Sequence, residues 1–327
     1  MKNYLKNATT THSSAKEILG NSYYARMFME GAIGKRENYE AVQCLSKGMD
    51  SAGGYLVPDS MEKKIVHALA ESNMVRRLAT VIHTYGNNHK IPLLNELTEA
   101  QWLGETAALQ MGEAVFNSVS LRSHKLGLML LVSNELLKDS GVDMETFLAE
   151  AFAEQIASTE EEAFINGSGV NMPKGLLSSG SAEIGLTAQA TEALTVEEII
   201  SLYYSLDEKY RQSAVFMMHE DTAKALSLLK DENGHYLWRE ALNGDQPDRL
   251  LGRPVYISRF MPKMAAGAKP VLFGDLSKYW IGDRGNRCLR RYDELFAQNE
   301  QTGYSMIEFV DGKLILPEAV KVIRMAE

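Results

Sequence analysis

Apolar residues recur at three- and four-residue spacing between Asp143 and Asn166, and this is the strongest periodic signal in the chain. The spacing places one set of side chains on a single face of an α-helix. Asp143 is a suitable N-cap residue, and Asn166 followed by Gly167 is typical of a helix end. At about 1.5 Å per residue the predicted helix is about 36 Å long. Its apolar positions are Met144, Phe147, Leu148, Ala151, Phe152 and Ile156.

Shorter periodic and alternating segments predict a mixture of helices and strands, which is typical of an α+β fold. Helices are predicted over residues 15–30, 61–78, 196–206 and 221–229. Strands are predicted over residues 81–85, 214–218, 255–257, 271–273, 279–281, 288–292, 305–309, 313–316 and 319–324. The chain has 327 residues, of which 45% are hydrophobic. Because single cores stop growing near roughly 250 to 300 residues, two lobes are expected.

Residues 86–125 differ in character from the segments around them. Polar residues and glycines dominate the first part, and apolar residues then alternate with polar ones from Val115 to Leu121. Alternation of this kind is typical of a half-buried strand. The segment is therefore predicted to be a long two-stranded excursion with a mobile tip. Connections of this length in compact domains usually have a function.

The stretch Ser51-Ala52-Gly53-Gly54-Tyr55-Leu56-Val57-Pro58 marks the boundary between a loosely patterned polar segment and the folded body. Adjacent glycines allow backbone angles that are closed to other residues, whereas proline fixes φ and removes a hydrogen-bond donor. Gly53, Gly54 and Pro58 are therefore predicted to form a swivel that ends in a short extended entry to the domain.

Composition excludes several classes of function. The net charge of −9 argues against a general phosphate-coating role, because nonspecific DNA affinity comes mainly from lysine and arginine. No apolar run approaches the roughly 20 residues needed to cross a bilayer, and the polar start lacks the apolar core of a secretory signal. The default location is the cytoplasm of the producing cell. Cys44 and Cys288 are predicted to be free thiols, since two cysteines make no disulfide framework.

A search for catalytic, cofactor-binding and metal-binding motifs predicts no such site. Gly167-Ser168-Gly169 has the wrong spacing for a phosphate-binding loop and follows a helix instead of a strand. The seven histidines are scattered without ligand spacing. The run Glu160-Glu161-Glu162 is interpreted as a solvated or partner-facing helix surface in preference to a metal site. A catalytic arrangement assembled from distant segments stays open.

Three separated stretches resemble one family, the major capsid proteins of tailed phages of the HK97 type. The first is Ser51 to Pro58, and the second is Phe164-Ile165-Asn166-Gly167-Ser168-Gly169 with Pro173 and Gly175 downstream. The third is Leu228-Leu229-Lys230-Asp231 with Gly234 and Tyr236, followed by Leu251-Gly252-Arg253-Pro254-Val255. Their order and spacing match the family from about Ser51 to Arg324.

The resemblance implies an HK97-like capsid fold with four parts. These parts are an N-terminal arm over residues 1–55; a peripheral lobe over residues 56–85, 120–180 and 283–312, with a spine helix over 143–166; an extended two-stranded loop over 86–119; and an axial lobe over 181–282 and 313–327. The implied function is that of a structural subunit of an icosahedral phage or prophage capsid. It would assemble into pentamers and hexamers that enclose the genome, without catalysis or cofactor.

The extended loop carries apolar side chains that a monomer would leave in water. We predict that they contact neighbouring subunits, with Gly53, Gly54 and Pro58 as the pivot of the arm. Segments that cannot bury their own surface order only against a partner. The loop residues are Trp102, Leu103, Glu105, Leu109, Met111, Val115 and Phe116.

The resemblance also implies partners beyond the subunit itself. These are a separate scaffolding protein, a portal, a maturation protease and DNA that is packaged without sequence-specific binding, while no membrane is involved. About fifty residues precede the core, whereas the family commonly carries a longer scaffolding segment there, so scaffolding or processing is expected to differ. Some family members join subunits covalently through a lysine and an asparagine. Leu109 and Gly303 stand at those positions, so no such crosslink is expected.

Two alternatives stay open at this point. The same fold also builds encapsulin-like shells, which hold a protein cargo in place of a genome. A cytosolic α+β hydrolase would instead use carboxylates or histidines that folding brings together. A concave pocket with strongly perturbed titratable groups would favour the hydrolase, and a protruding loop would favour a shell subunit.

Overall fold

The structure is a computed structural model. It describes residues 54–56, 72–86, 88–96, 115–139, 144–230, 234–236, 238–239, 247–285 and 287–327. Several sequence-based predictions lie outside these residues, namely the helix over residues 15–30, most of the N-terminal arm, the tip of the extended loop and Asp143.

The described residues form fifteen strands and six α-helices. The strands are β1 (Gly54–Leu56), β2 (Thr80–Thr84), β3 (Asn88–Glu96), β4 (Val115–Arg122), β5 (His124–Ser133), β6 (Glu183–Thr187), β7 (Val215–Met218), β8 (Trp238–Arg239), β9 (Arg249–Leu250), β10 (Arg253–Ile257), β11 (Val271–Gly274), β12 (Tyr279–Arg284), β13 (Cys288–Tyr292), β14 (Gln301–Leu314) and β15 (Val320–Arg324). The helices are α1 (Met74–Leu78), α2 (Asn134–Asp139), α3 (Met144–Asn166), α4 (Val196–Ser205), α5 (Glu208–Arg211) and α6 (Glu220–Ser227).

The first sheet is built around β14, which at 14 residues is long enough to pair with three strands. One edge of β14 pairs with β5, and the other pairs with β13 and then with β12. The order β1-β13-β14-β12-β2 completes this six-stranded sheet, in which β2 and β12 are parallel. All of the other pairs in it are antiparallel.

Helix α3 covers one face of this sheet. Its buried residues Leu148, Phe152 and Ile156 pack against Tyr304 and Met306 of β14 and against the inward side chains of β5. Burying a large apolar side chain contributes about 1.5 to 3 kcal/mol, so this layer holds helix and sheet together. The predicted helix is confirmed from Met144 to Asn166.

The end of α3 requires a glycine. The backbone N–H of Gly167 donates to the Ala163 carbonyl oxygen at 2.8 Å. A Cβ atom at position 167 would lie 2.3 Å from the Pro173 carbonyl oxygen and 2.4 Å from that of Ala163. Since both obstructing atoms belong to the backbone, they cannot rotate away. The chain therefore turns sharply here, as the Asn166-Gly167 pair predicts.

The second sheet has seven strands in the order β6-β15-β11-β7-β10-β9-β8. Its strands β7 and β11 are buried at every position, which fits their continuous apolar sequences. Helix α4 packs on it and begins with a capping box, in which Thr195 and Glu198 each bond the other's backbone. A shared core that includes Phe164 and Tyr279 joins the two sheets. The predicted α+β class is confirmed.

The structure corrects three sequence-based predictions of secondary structure. The helix predicted over residues 61–78 is not continuous, because Asn73 adopts an extended conformation and caps the short helix α1. The strand predicted at 305–309 and the first two residues of the one predicted at 313–316 are parts of the single strand β14, which ends at Leu314. Strand β5 was not predicted at all, although Leu126, Leu128, Leu130 and Val132 alternate with other residues along it.

The interpretation of Glu160-Glu161-Glu162 as a solvated helix surface is wrong for two of its residues. Glu160 is 1% exposed and Glu161 is 8% exposed, whereas Glu162 is exposed. Glu160 binds Arg76, and Glu161 accepts a hydrogen bond from the Ser258 hydroxyl at 2.6 Å. Partners from distant segments offset the cost of burying these charges, and a local charge pattern cannot reveal such partners.

Candidate assembly surfaces

Strands β3 and β4 pair with each other, and with no other strand in the described part of the chain, and form a two-stranded ribbon that is rooted in the body. The root contains Ile91 and Leu121, which are 4% and 2% exposed and pack against Ile315. The backbone N–H of Arg122 donates to Oδ2 of Asp311 at 2.6 Å. Apolar packing and a hydrogen bond to a carboxylate thus fix the base of the ribbon to the first sheet.

Beyond this root the ribbon becomes exposed. Pro92 pairs with Ser118, and both are exposed, as is the next residue, Asn117. At about 3.4 Å per residue a nine-residue strand is about 30 Å long. The prediction of two strands in this segment is confirmed for residues 88–96 and 115–122.

The predicted contact residues belong to the far end of this ribbon and to the segment that connects its strands. Val115 and Phe116 are the first residues of β4, and Val115 pairs with Glu96. The remaining contact residues lie outside the described part of the chain, namely Trp102, Leu103, Glu105, Leu109 and Met111. Their role as inter-subunit contacts stays a prediction.

The predicted arm pivot adjoins an edge strand of the first sheet. Gly54 begins β1 and pairs with Tyr292 of β13, while Leu56 pairs with Arg290. Gly53 and Pro58 lie outside the described residues. Pairing with β13 fixes the point at which the chain enters the body, and the role of the glycines as a pivot stays a prediction.

The face of β5 that points away from α3 carries exposed apolar side chains that sequence reasoning did not identify. Met129 is 44% exposed and Leu131 is 48% exposed, and their spacing of two residues places them on the same face. The alternation of Leu126, Leu128 and Leu130 with these residues could have revealed both the strand and its two apolar faces.

Gly303 of β14 lies beneath an aromatic ring. A Cβ atom at this position would lie 2.7 Å from Cε2 of Phe296 and 3.1 Å from Cε of Met129. A longer side chain would have to displace the ring. The expectation that residue 303 takes no part in a covalent crosslink therefore agrees with the packing around it.

A buried cluster of charges lies where α1, α3 and the first sheet meet. The guanidinium group of Arg76 donates to both carboxylate oxygens of Glu160 and to both of Asp283. Arg287 donates from Nε to Oε2 of Glu308 at 2.7 Å. All three carboxylates are buried, and each comes from a different element.

The cluster perturbs the pKa values of its members in opposite directions. Burial alone would lower the pKa of Arg76, but the charges of Glu160 and Asp283 outweigh it and raise that pKa. Burial opposes ionisation of Asp283, yet hydrogen bonds and charge from Arg76 lower its pKa. Burial and the neighbouring Glu160 raise the pKa of Glu308 to about 8. Sequence reasoning missed this cluster because its members lie far apart along the chain.

A cavity of about 360 Å³ lies beside the end of α3. Its lining is mostly apolar and includes Leu126, Met172 and Val310, together with His124 and Glu162. Glu308 and Asp311, whose pKa values are raised, are not among its lining residues. The cavity therefore does not combine a concave surface with those perturbed carboxyls, which is the combination that would favour a hydrolase.

Within the described residues, no group of three or more histidine, cysteine or acidic side chains is arranged to hold a metal ion. In the same part of the chain, no helix is both long enough and apolar enough to cross a bilayer.

Comparison with known proteins decides the family. The model of the phage capsid family matches residues 53–325, which is most of the chain. The chain belongs to the phage capsid family. The family resemblance of the three sequence stretches is thereby confirmed. These matches do not favour a protein-cargo shell or a hydrolase.

One relative of this capsid protein is the major capsid protein of Klebsiella oxytoca phage phiKO2, which is 25% identical over 270 residues. The match covers 76% of this chain and 60% of the relative, so the chain spans less than two thirds of that protein's length.

Solved structures agree with the family assignment. The capsid of the native GTA particle, computed with C5 symmetry, is 29% identical in sequence with a TM-score of 0.65. The match covers 77% of this chain and 90% of the GTA capsid chain. A structure from Gordonia phage Cozz is 16% identical in sequence with a TM-score of 0.59, and the match covers 78% of this chain and 87% of the phage chain. At that identity the similarity concerns the fold alone. Together they confirm the predicted HK97-type capsid fold.

Proposed function

We propose that this capsid protein is the major shell subunit of a phage or prophage, and that it assembles with itself into pentamers and hexamers. The observation that carries the proposal is the ribbon of β3 and β4, in which Ile91 and Leu121 at the root are buried while Pro92, Asn117 and Ser118 are exposed. A ribbon of this length that pairs with no other strand among the described residues buries little of its own surface. A neighbouring subunit can supply the missing contacts.

Repeated heterologous contacts explain how such subunits would form rings. A contact between two different surfaces closes into a ring when its rotation divides a full turn. In this proposal the outer ribbon, with Trp102, Leu103, Leu109 and Met111, provides one surface. The adjacent subunit in the ring, or a subunit in the next ring, provides the other. The result is a closed icosahedral shell that places the subunit in the virion capsid.

The division into parts is also a proposal. Residues 1–55 would form an arm that crosses to a neighbour, with Gly53, Gly54 and Pro58 at its pivot. The first sheet with α3 would form the body of the peripheral lobe, and the second sheet with α4 that of the axial lobe. The axial range predicted over residues 181–282 and 313–327 overlaps the first sheet at β12 and at the end of β14, so these strands go with the peripheral lobe in this proposal. Pairing of Gly54 with Tyr292 supports an entry point at the edge of the first sheet.

The net charge of −9 supports enclosure of DNA without general binding of its phosphates, since 43 acidic residues outnumber the 34 lysines and arginines. The proposal includes no sequence-specific binding of the DNA. The proposal further includes assembly in the host cytoplasm and three protein partners, namely a separate scaffolding protein, a portal and a maturation protease.

The direct test removes the outer ribbon and asks whether shells still form. Deleting residues from Pro92 to Glu113 removes Leu93 from the root but spares Ile91, Leu121 and Ile315, so the buried part of the root remains and the subunit should fold. Purified deletion protein is then compared with the intact protein by negative-stain electron microscopy and by thermal unfolding. We expect a folded subunit that no longer forms closed particles.

A matched control distinguishes the effect of losing the apolar contact surface from the effect of shortening the loop. In the control, polar residues replace Trp102, Leu103, Leu109 and Met111 while the loop keeps its length. Failure of both variants to assemble supports the proposal. Closed particles from the deletion protein would contradict the role of the ribbon, and intact particles that carry protein in place of nuclease-protected DNA would contradict the genome-enclosing function.

A further inference from the structure

The buried charge cluster contains more carboxylates than cations. Its carboxylates are Glu160 of α3, Asp283 of β12 and Glu308 of β14, and its guanidinium groups belong to Arg76 and Arg287. With every group ionised, the cluster would carry one excess negative charge. An uncompensated charge in the protein interior is costly, so such groups usually bind a proton instead.

The two guanidinium groups are shared unevenly among the three carboxylates. Arg76 uses its donors on Glu160 and Asp283, at distances of 2.6 Å, 2.8 Å and 2.9 Å for three of the bonds. Arg287 reaches Oε2 of Glu308 at 2.7 Å and lies 3.7 Å from Asp283. Glu308 is therefore the carboxylate with the weakest compensation.

One oxygen of Glu308 has no donor. Oε1 is buried and has no hydrogen-bond partner among the described residues, and the whole residue is 3% exposed. A buried ionised carboxylate can only accept hydrogen bonds, so an oxygen without a donor is costly. A protonated carboxyl carries its own donor. The neighbouring carboxylate of Glu160, which is 1% exposed, can accept from it.

The other charged groups around Glu308 are engaged elsewhere and do not supply the donor that its Oε1 lacks. On α3, Glu161 is occupied by the Ser258 hydroxyl and by the backbone N–H of Met74. On β5, His124 lies 3.7 Å from Asp311, which is three residues further along β14 than Glu308. On β2, His83 acts on Asp283, with which it is paired.

We propose that Glu308 holds one bound proton, which it donates in a hydrogen bond to the carboxylate of Glu160, and that this hydrogen bond locks α1 and α3 onto the first sheet. The proton comes from bulk water and returns to it, with no change in any covalent bond. Loss of the proton leaves two facing carboxylates and weakens the junction. The subunit therefore senses mildly alkaline conditions at the point where the chain enters α1.

The expected pH window follows from the raised pKa of Glu308. Burial and the charge of Glu160 raise this pKa from 4.5 to about 8 in the folded subunit. Because the folded value is the higher one, the stabilisation is complete below the unfolded pKa and is lost as the pH rises through the folded pKa. Between these limits the folding equilibrium constant falls by up to about tenfold per pH unit.

The first experiment measures unfolding of the isolated subunit against pH for three proteins. Glu308→Gln replaces the carboxyl by a neutral amide of the same shape, which donates to Glu160 without a proton. Glu162→Gln on the exposed face of α3 is the matched control. We compare how much the folding equilibrium constant of each protein falls between about pH 6 and about pH 8. For the original protein and for the control, we expect this fall to be at least about tenfold larger than for Glu308→Gln. Parallel pH profiles for all three proteins would overturn the proposal.

The second experiment needs no variant to fold. Infrared difference spectra of the original subunit between about pH 6 and about pH 10 report protonated carboxyl groups through their C=O stretch. We expect one buried carboxyl to lose its proton near the pKa of about 8. Absence of any carboxyl signal above about pH 6 would overturn the proposal. Both measurements use unassembled subunits, so neither depends on shell formation.

Discussion

Replacing Arg76 by lysine tests how much the buried cluster depends on the shape of its central cation. The guanidinium group makes two hydrogen bonds with Glu160 and two with Asp283, and its side chain is 8% exposed. A lysine ammonium keeps the charge but presents its donors from a single point. It can hold one oxygen of each carboxylate, so the Arg76→Lys variant loses two of the four bonds.

The magnitude follows from the chemistry of these bonds. Hydrogen bonds to charged groups contribute about 1.5 to 3 kcal/mol each, which gives about 3 to 6 kcal/mol for two. Because lysine retains the positive charge, the loss should lie below the upper end of this energy range. For comparison, breaking a buried ion pair costs about 3 to 5 kcal/mol. We expect Arg76→Lys to lower the free energy of unfolding by about 3 to 4 kcal/mol.

Urea unfolding of the isolated subunit, followed by intrinsic fluorescence, measures this change. Arg77→Lys is the matched control, because Arg77 follows Arg76 on the same short helix and is exposed. The control should change the free energy of unfolding by no more than about 0.5 kcal/mol. A loss below about 1 kcal/mol for Arg76→Lys would refute the view that the bidentate geometry, and not charge alone, holds the cluster.

Two further predictions concern packing and covalent linkage. Phe152→Ala, at a fully buried position on α3, should lower the free energy of unfolding by about 3 to 5 kcal/mol in the same assay. Phe147→Ala, at a position that is 57% exposed on the same helix, should change it by about 0.5 kcal/mol or less, and equal losses would contradict the assigned helix face. Boiling assembled particles in detergent should return monomers on a gel, since Leu109 and Gly303 cannot form a lysine–asparagine bond. A ladder of covalent multimers would contradict this.

Elements with strong local signals could be predicted from the sequence. Helix α3 ends sharply at Gly167, and its bounds agree with the prediction over the described residues. The predicted apolar face is wrong at Phe147, which is 57% exposed, because the buried face runs through Leu148, Phe152 and Ile156. The ribbon was predictable because Val119 and Leu121 alternate with polar residues. Strand β5 was missed because apolar residues on both of its faces, such as Leu130 and Leu131, obscure its alternation.

The features that sequence reasoning missed depend on contacts between distant segments. Asn73 interrupts a helical pattern because its side chain caps α1 and donates to Glu160, which lies 87 positions away. Glu160 and Glu161 lie one helical turn after the buried residues Ile156 and Ala157, so the helical projection places them on the buried face. Their charge favours a surface position, and partners from α1 and from the loop at Ser258 allow their burial. Burial of charge depends on tertiary partners, and local periodicity contains no information about them.

The length of β14 limits how the subunit can deform. One continuous strand pairs with β5, β13 and β12, so the first sheet has no hinge along it. A slip by one residue would turn Glu308 from the buried cluster to the opposite face and would expose Tyr304 and Met306. The strand therefore acts as a beam: in the proposed shell, a load on the ribbon would pass through Asp311 to the first sheet, and bending would occur at the turns that leave β14.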